Sequence, residues 1–214
     1  MSAGPQEGGK GAVVVATRNE HKLRELAELL PSLTLEPLPE GVQLPPEKGD
    51  SFADNALLKA RAGHAATGQA ALADDSGIEA LALGGEPGIL SARYAGEGAS
   101  DEENLANLLR EVAASGDDRR VLYVCVLAYV HPSGEWGLYE ARCTGQLAEQ
   151  PRGTGGFGYD PAFIPDDVPG GRTMAELEPR EKNAISHRGR AARLLALHLA
   201  AGAGARTELE EPER

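Results

Sequence analysis

Ala70-Ala71-Leu72-Ala73-Asp74-Asp75-Ser76-Gly77 is the stretch on which the reading of this chain turns. Its small and apolar residues make a short buried strand over Ala70–Ala73, which leads into two adjacent carboxylates and then into the turn formers serine and glycine. Two carboxylates brought together in a fold repel unless a metal, a proton or a cationic neighbour compensates. A hard divalent cation such as Mg²⁺ is held by one or two carboxylates plus substrate phosphates, so the pair points toward phosphate chemistry. The same residues also read as a solvated Asp-Asp-Ser-Gly turn, and in isolation that is the stronger reading. The surrounding chain decides between the two.

Upstream, Ala12–Ala16 is a continuous apolar, β-branched run, the pattern of a buried strand. A helix is predicted from about Glu20 to Leu30, with an apolar stripe of leucines ended by Pro31. A short strand near Leu33–Leu38 follows. Ser51 with Asp54 three residues on predicts the start of a helix running to about Thr67. Downstream, Ser100 and Glu103 form a capping box for a helix carrying Leu105, Leu108, Leu109 and Val112. Val121–Val130 and Trp136–Leu147 read as an antiparallel pair around His131-Pro132-Ser133-Gly134. Thr173–Glu176 reads as a capped short helix, and a final helix is expected over Ala184–Ala201. Strands mixed with helices and one long hairpin predict an α/β fold, a mixed β-sheet flanked by helices. One domain over residues 12–201 is expected, with 1–11 and 202–214 as disordered tails.

Composition narrows the function. The 214 residues are 41% apolar, and 33 acidic against 21 basic residues leave a net charge of −12. That balance argues against a nucleic-acid polymer as partner, whose binding depends on neutralising phosphates, but one local basic cluster suffices for a nucleotide. No stretch approaches the roughly 20 apolar residues of a membrane span, and Met1–Gly11 lacks a signal-peptide core, so no membrane role and a cytoplasmic location are expected. Cys125 and Cys143 lack zinc-like spacing and are expected as reduced thiols facing each other across the hairpin.

Three further segments carry chemistry. Thr17-Arg18-Asn19-Glu20-His21-Lys22 joins the first strand to the first helix, where open α/β sheets bind ligands. A helix N-terminus there offers N–H groups and a positive dipole end to phosphate, and Lys22 adds a point charge. Gly153-Thr154-Gly155-Gly156-Phe157-Gly158-Tyr159-Asp160 permits close backbone approach, with Phe157 and Tyr159 as stacking surface and Asp160 as an anchor for the loop or a ligand hydroxyl. Lys182-Asn183-Ala184-Ile185-Ser186-His187-Arg188 gathers three cationic groups at the expected start of the last helix, unusual in so acidic a chain. Lys59 in the second helix and Glu47 in the Pro-rich loop before it are surface residues on the bland reading. On the sharper one, Glu47 adds a second carboxylate to a metal shared with Asp75.

These segments, with Ser51–Arg61, Gly84–Gly96 and Glu181–Gly189, occur in the order seen in a known family and span about residues 12–200. The chain resembles the inosine triphosphatase-like (Ham1/RdgB-type) purine nucleoside triphosphate pyrophosphatases. The resemblance implies a two-lobed α/β fold with the active site in the cleft between lobes, and a homodimer. It implies Mg²⁺-dependent hydrolysis of ITP, dITP or XTP to the monophosphate and pyrophosphate. Carried over by position, Asp75 is the general base and a metal ligand, Asp74 its support, and Ser76 a substrate contact. Thr17–Lys22 (Thr17, Arg18, Asn19, Glu20, His21 and Lys22) and Lys59 hold the triphosphate. Phe157, Gly158, Tyr159, Asp160, Lys182, His187 and Arg188 hold base and sugar. Arg18 stands where many relatives have glycine, and Pro46-Glu47 where some have paired acids. Two other readings stay open at this stage: a related pyrophosphatase for pyrimidine or modified nucleotides, and a nucleotide sensor without catalysis.

Overall fold

The computed structural model describes residues 11–202, so the tails expected at 1–11 and 202–214 lie, apart from Gly11 and Gly202, outside the described residues. The first apolar run becomes β1 (Val13–Val15), and α1 (Glu20–Leu29) follows it, with Asn19 as N-cap. The chain returns through β2 (Leu35–Pro37) and enters α2 (Phe52–Thr67), capped by Ser51 and ended by Gly68. β3 (Ala70–Ala80), α3 (Asp101–Ser115), β4 (Arg120–Val130) and β5 (Trp136–Leu147) come next, then the short β6 (Phe163–Pro165). Two helices close the described chain, α4 (Pro179–Ile185) and α5 (His187–Ala200).

The strands form one mixed six-stranded sheet in the order β2-β1-β3-β4-β5-β6. β1 runs parallel to β2 and β3, and β3 to β6 pair antiparallel. α2 covers one face, packing Phe52, Ala56 and Ala60 on Ala73, Val124, Val126 and Ala128. α1 and α5 cover the other, with Leu26, Ala191 and Leu195 on Leu72, Cys125 and Leu127. Beyond them the same long strands carry a second packing region, where Ile78, Tyr123 and Cys143 meet Leu105, Leu108 and Val112 of α3 and Phe163 of β6. The cleft lies where these two regions meet.

Three expectations need correction. The strand does not stop at Ala73. It continues through both aspartates to Ala80, because antiparallel pairing with β4 runs unbroken from Ala71 to Ala80 and keeps the backbone extended. The last helix is two: Ser186 is extended (φ −63°, ψ 156°), and its hydroxyl caps α5 by accepting from Gly189 N–H. The cysteines are not opposite each other, since the register pairs Cys125 with Ala141 and Cys143 with Tyr123, leaving two buried free thiols diagonally placed. The sequence pattern also gave no sign of β6, a strand of only three residues.

Candidate active site

A β-strand turns successive side chains to opposite faces. The two aspartates lie inside β3, so they part company. Asp74 points with Ser76 to the face of α1 and α5, and Asp75 points to the face of α2.

On the first face Asp74 is almost fully buried at 1% exposure. Lys22 Nζ lies 2.5 Å from Asp74 Oδ1, and Arg188 Nε donates to Oδ2 at 2.8 Å. Ser76 Oγ donates to Oδ1 at 2.8 Å, and the Cys125 thiol lies 3.1 Å from Oδ2. Burial opposes ionisation of this carboxyl, but Arg188 and Lys22 more than offset it and hold Asp74 well below the usual carboxylate range. Asp74 is therefore a permanent anion with its lone pairs occupied. It is a fixed counterion for two cations and has no room to act as a base.

On the second face Asp75 is bound by Lys59 Nζ at 2.6 Å and by Asn55 Nδ2 at 3.3 Å. Lys59 also reaches Glu47 Oε1 at 2.7 Å, so one ammonium draws two carboxylates together. Here burial wins: it raises the pKa of Asp75 above the ordinary aspartate value, with Glu47 adding to the rise and Lys59 and Lys22 opposing it. For Glu47 the balance reverses, because Lys59 outweighs burial and holds it ionised. Neighbouring carboxyls of unequal acidity are an arrangement that assigns a proton-accepting role to one of them.

From Arg188 an alternating chain of charge runs to the glycine-rich loop. Glu25 of α1 binds Arg188 Nη1 and Lys182 Nζ, both at 2.6 Å, and Lys182 binds Asp160 at 2.6 Å. These cations keep Glu25 ionised against the cost of burial. Asp160 accepts also from Phe157 N–H at 2.9 Å and from the Tyr123 hydroxyl at 3.2 Å, so it anchors the loop. Gly156 has φ +69°, and a Cβ there would sit 2.0 Å from Asp160 Oδ2, so only glycine allows this wrap. Asn19, Lys22, Ser76, Phe157, Lys182 and His187 line a cavity of ≈ 100 Å³ at the centre of this arrangement. Phe157 covers it, its ring stacked on His21 at 5.1 Å and lying 5.1 Å from Lys182 Nζ.

His187 is 5% exposed and stacks on Tyr123 at 4.4 Å. Burial first, and Arg188 second, push its pKa well below the usual histidine value, so the ring is neutral. Its Nδ1 is the only buried side-chain nitrogen or oxygen among the described residues that lacks a partner. Leaving such an atom unpaired costs free energy, about 1–3 kcal/mol, which a ligand recovers on binding.

Not every expected site residue faces the cavity as anticipated. Arg18 turns away and donates to the carbonyls of Leu38, Pro39 and Val42, which makes it an anchor of the following loop and places it on no phosphate path. Asn19 Oδ1 accepts from His21 and Lys22 N–H, and Asn19 N–H is taken by Thr17 Oγ1, so the start of α1 offers Lys22 to a ligand more than free amides. Glu20 is exposed. Tyr159 is 6% exposed with its hydroxyl bonded to the Ser91 carbonyl, so it walls the cavity and cannot open as a stacking surface. Gly158 N–H is accepted by Asp101. Arg188 spends its donors on Asp74, Glu25 and Ser76.

The sequence reading missed Glu25, Asn55, Arg93 and Cys125. Glu25 stands three residues after Lys22 and Asn55 four before Lys59, spacings that put each on the same helix face as its lysine, so both were legible once the lysines were placed. Nothing local marks Cys125 as the neighbour of Asp74. That contact exists only through the β3–β4 pairing. Among the described residues no helix is long and apolar enough to cross a membrane, and no three His, Cys, Asp or Glu side chains form a metal cluster.

Comparison with known proteins fits this geometry. A family model described as the Ham1 family matches residues 13–198. A dITP/XTP pyrophosphatase of Mycolicibacterium paratuberculosis is 48% identical over 191 residues, covering 86% of this chain and 93% of that protein. One from Deinococcus radiodurans is 49% identical over 188 residues, covering 87% and 92%. Among solved structures, a HAM1 protein from Coxiella burnetii superposes with a TM-score of 0.78 at 41% identity, over 89% of this chain and 98% of that one. A nucleoside-triphosphatase / dITP/XTP pyrophosphatase from Mycobacterium abscessus gives 0.68 at 46% identity, over 86% and 98%.

Proposed function

The chain belongs to the Ham1 family, and from that premise we propose that it hydrolyses aberrant purine nucleoside triphosphates (ITP, dITP and XTP) to the monophosphate and pyrophosphate. The observation that carries the proposal is the division of the aspartate pair across the sheet: one carboxylate bound by Lys22 at 2.5 Å and Arg188 at 2.8 Å, the other buried on the opposite face beside Lys59 and Asn55, with its pKa raised. Phosphoryl chemistry with water needs charge neutralisation, an oriented nucleophile and positioning. Lys22 and Lys59 neutralise the polyphosphate. Asp75 accepts a proton from the attacking water, with Asn55 and Lys59 holding the carboxylate in orientation. Asp74 keeps Lys22 and Arg188 in place.

Mg²⁺ is proposed as the cofactor, and the donor set fits it. Glu47 and Asp75 converge on one cationic position, and Mg²⁺ needs only one or two protein carboxylates when phosphates and waters complete its shell. When bound, the ion neutralises developing charge on the phosphates.

Selectivity for a 6-keto purine is assigned to His187. A neutral imidazole carries one N–H, and the tautomer protonated on Nδ1 gives the unpaired position a donor for a keto oxygen. The amino group of adenine would set donor against donor there and leave both unpaired, which is how a hydrogen-bonding site rejects an analogue. Phe157 supplies the stacking face. A homodimer and a cytoplasmic location are proposed with this function. The test is kcat/KM with Mg²⁺ across ITP, dITP, XTP, ATP and dUTP. The first three are expected to exceed the last two by at least about 100-fold. Equal values across the panel would defeat the assignment, and binding of ITP without turnover would favour a sensor.

A further inference from the structure

Of the two carboxylates that Lys59 draws together, Asp75 is held by a central strand, but Glu47 comes from an irregular segment. No helix or strand occurs over residues 38–50. The segment is pinned at its start by Arg18 and at its end by Gly49 N–H donating to Asn55 Oδ1 at 2.8 Å. Between those ends, the side chains that hold Glu47 are Lys59 and Arg93.

Arg93 closes the 3₁₀ turn Gly88–Arg93, within the Gly84–Gly96 motif that the proposed chemistry leaves unused. Its frame is fixed from two sides. Ser91 Oγ accepts from Ile78 N–H of β3 at 2.9 Å and donates to the Gly88 carbonyl at 2.6 Å. A Cβ on Gly77 would sit 2.4 Å from that hydroxyl, so the turn packs directly on the strand carrying Asp75. On the other side, buried Asn104 of α3 donates to the Ala92 carbonyl and accepts from Ala95 N–H, and Asn107 donates to the Tyr94 carbonyl. From this frame the guanidinium, 24% exposed, reaches Glu47 twice. One arm donates to the Glu47 carbonyl at 3.3 Å, and the other pairs with Oε2 at 3.5 Å, while Lys59 takes Oε1.

We propose that Arg93 is a positioning residue that fixes the Glu47 segment over the cleft. It holds both the main chain at Glu47 and the carboxylate oxygen that Lys59 leaves free. A planar fork can hold two oxygens at once, which a lysine cannot do with the same directional control. The consequence for catalysis rests on the proposed role of Glu47 toward the metal: a residue that presents a metal ligand changes metal affinity more than it changes chemistry at saturation.

The test is hydrogen–deuterium exchange on the full chain without metal or nucleotide, comparing wild type, Arg93→Met and Arg93→Lys, followed by Mg²⁺ titration of ITP turnover. Expected in Arg93→Met is about tenfold faster exchange at residues 43–49, with α3 unchanged, and Arg93→Lys intermediate. The half-saturating Mg²⁺ concentration rises 10- to 100-fold, and saturating Mg²⁺ restores kcat to within about twofold. Combining Arg93→Met with Glu47→Gln adds nothing to the effect of Glu47→Gln alone. Unchanged exchange at 43–49 overturns the proposal. So does a raised KM for ITP rescued by Arg93→Lys with exchange unchanged, which would make Arg93 a phosphate ligand. Faster exchange, with neither variant altering the Mg²⁺ dependence, supports the clamp and removes Glu47 from the metal.

Discussion

Asp74→Asn and Asp75→Asn remove one charge each from adjacent residues, and the structure predicts opposite consequences. Asp74 has a folded pKa below its unfolded one, so its ionised form contributes stability at pH 7, and that contribution is lost on neutralisation. The variant leaves Arg188, 2% exposed, with Glu25 as its remaining carboxylate, and Lys22 without its 2.5 Å partner. Breaking a buried pair of this kind costs about 3–5 kcal/mol. At roughly 2–4 °C per kcal/mol for a chain of this size, Tm falls by about 6–20 °C. Asp75 has a folded pKa above its unfolded one, so folding disfavours its charge, and a neutral amide of the same shape relieves that cost. Lys59 keeps Glu47 as partner. Tm of Asp75→Asn is therefore expected within a few degrees of wild type, while kcat for ITP falls about 10²–10⁴-fold through loss of the base. Differential scanning calorimetry at pH 7 and steady-state ITP hydrolysis report both quantities. An Asp74→Asn protein as stable as wild type, or an Asp75→Asn protein that retains kcat, would refute the division of roles.

Phe157→Ala should raise KM for ITP about 5- to 150-fold, the worth of one stacked base at about 1–3 kcal/mol, with Tm nearly unchanged because the ring is only half-buried; initial-rate kinetics check it. Glu25→Gln removes the carboxylate shared by Lys182 and Arg188 and should cost about 1.5–3 kcal/mol in urea unfolding, since each cation keeps a second acid. His187 is held neutral, so its contribution to stability is complete above about pH 6.5 and declines as pH falls below that, by at most about 1.4 kcal/mol per pH unit. Denaturant titrations from pH 7.5 to 5 should show that slope in wild type and lose it in His187→Asn.

Much of this architecture is legible in the chain because it is local. The helix caps at Asn19, Ser51 and Ser100 are side chains bonding amides two or three residues away, and the structure shows each of them. The β4–β5 hairpin follows from two apolar runs and the turn between them. What is lost is what depends on pairing partners distant in sequence. Ser76-Gly77 is turn-forming locally, yet hydrogen bonding to Val124–Cys125 keeps it in a strand, and that one change sends Asp74 and Asp75 to different faces. The cations at Lys182 and Arg188 were visible as a cluster, but the acid between them, Glu25, lies 157 positions from Lys182. Arg18 shows the reverse error: its place in a ligand-facing loop suggested phosphate, while three carbonyls of the next segment take its donors.

The central claim is tested most directly by following ITP with Mg²⁺ and purified protein by ³¹P NMR. Inosine monophosphate and pyrophosphate should appear in equal amounts, with no orthophosphate, and Asp75→Asn should produce neither at a comparable rate. Orthophosphate with inosine diphosphate as the products, or an unaltered rate in Asp75→Asn, would contradict it.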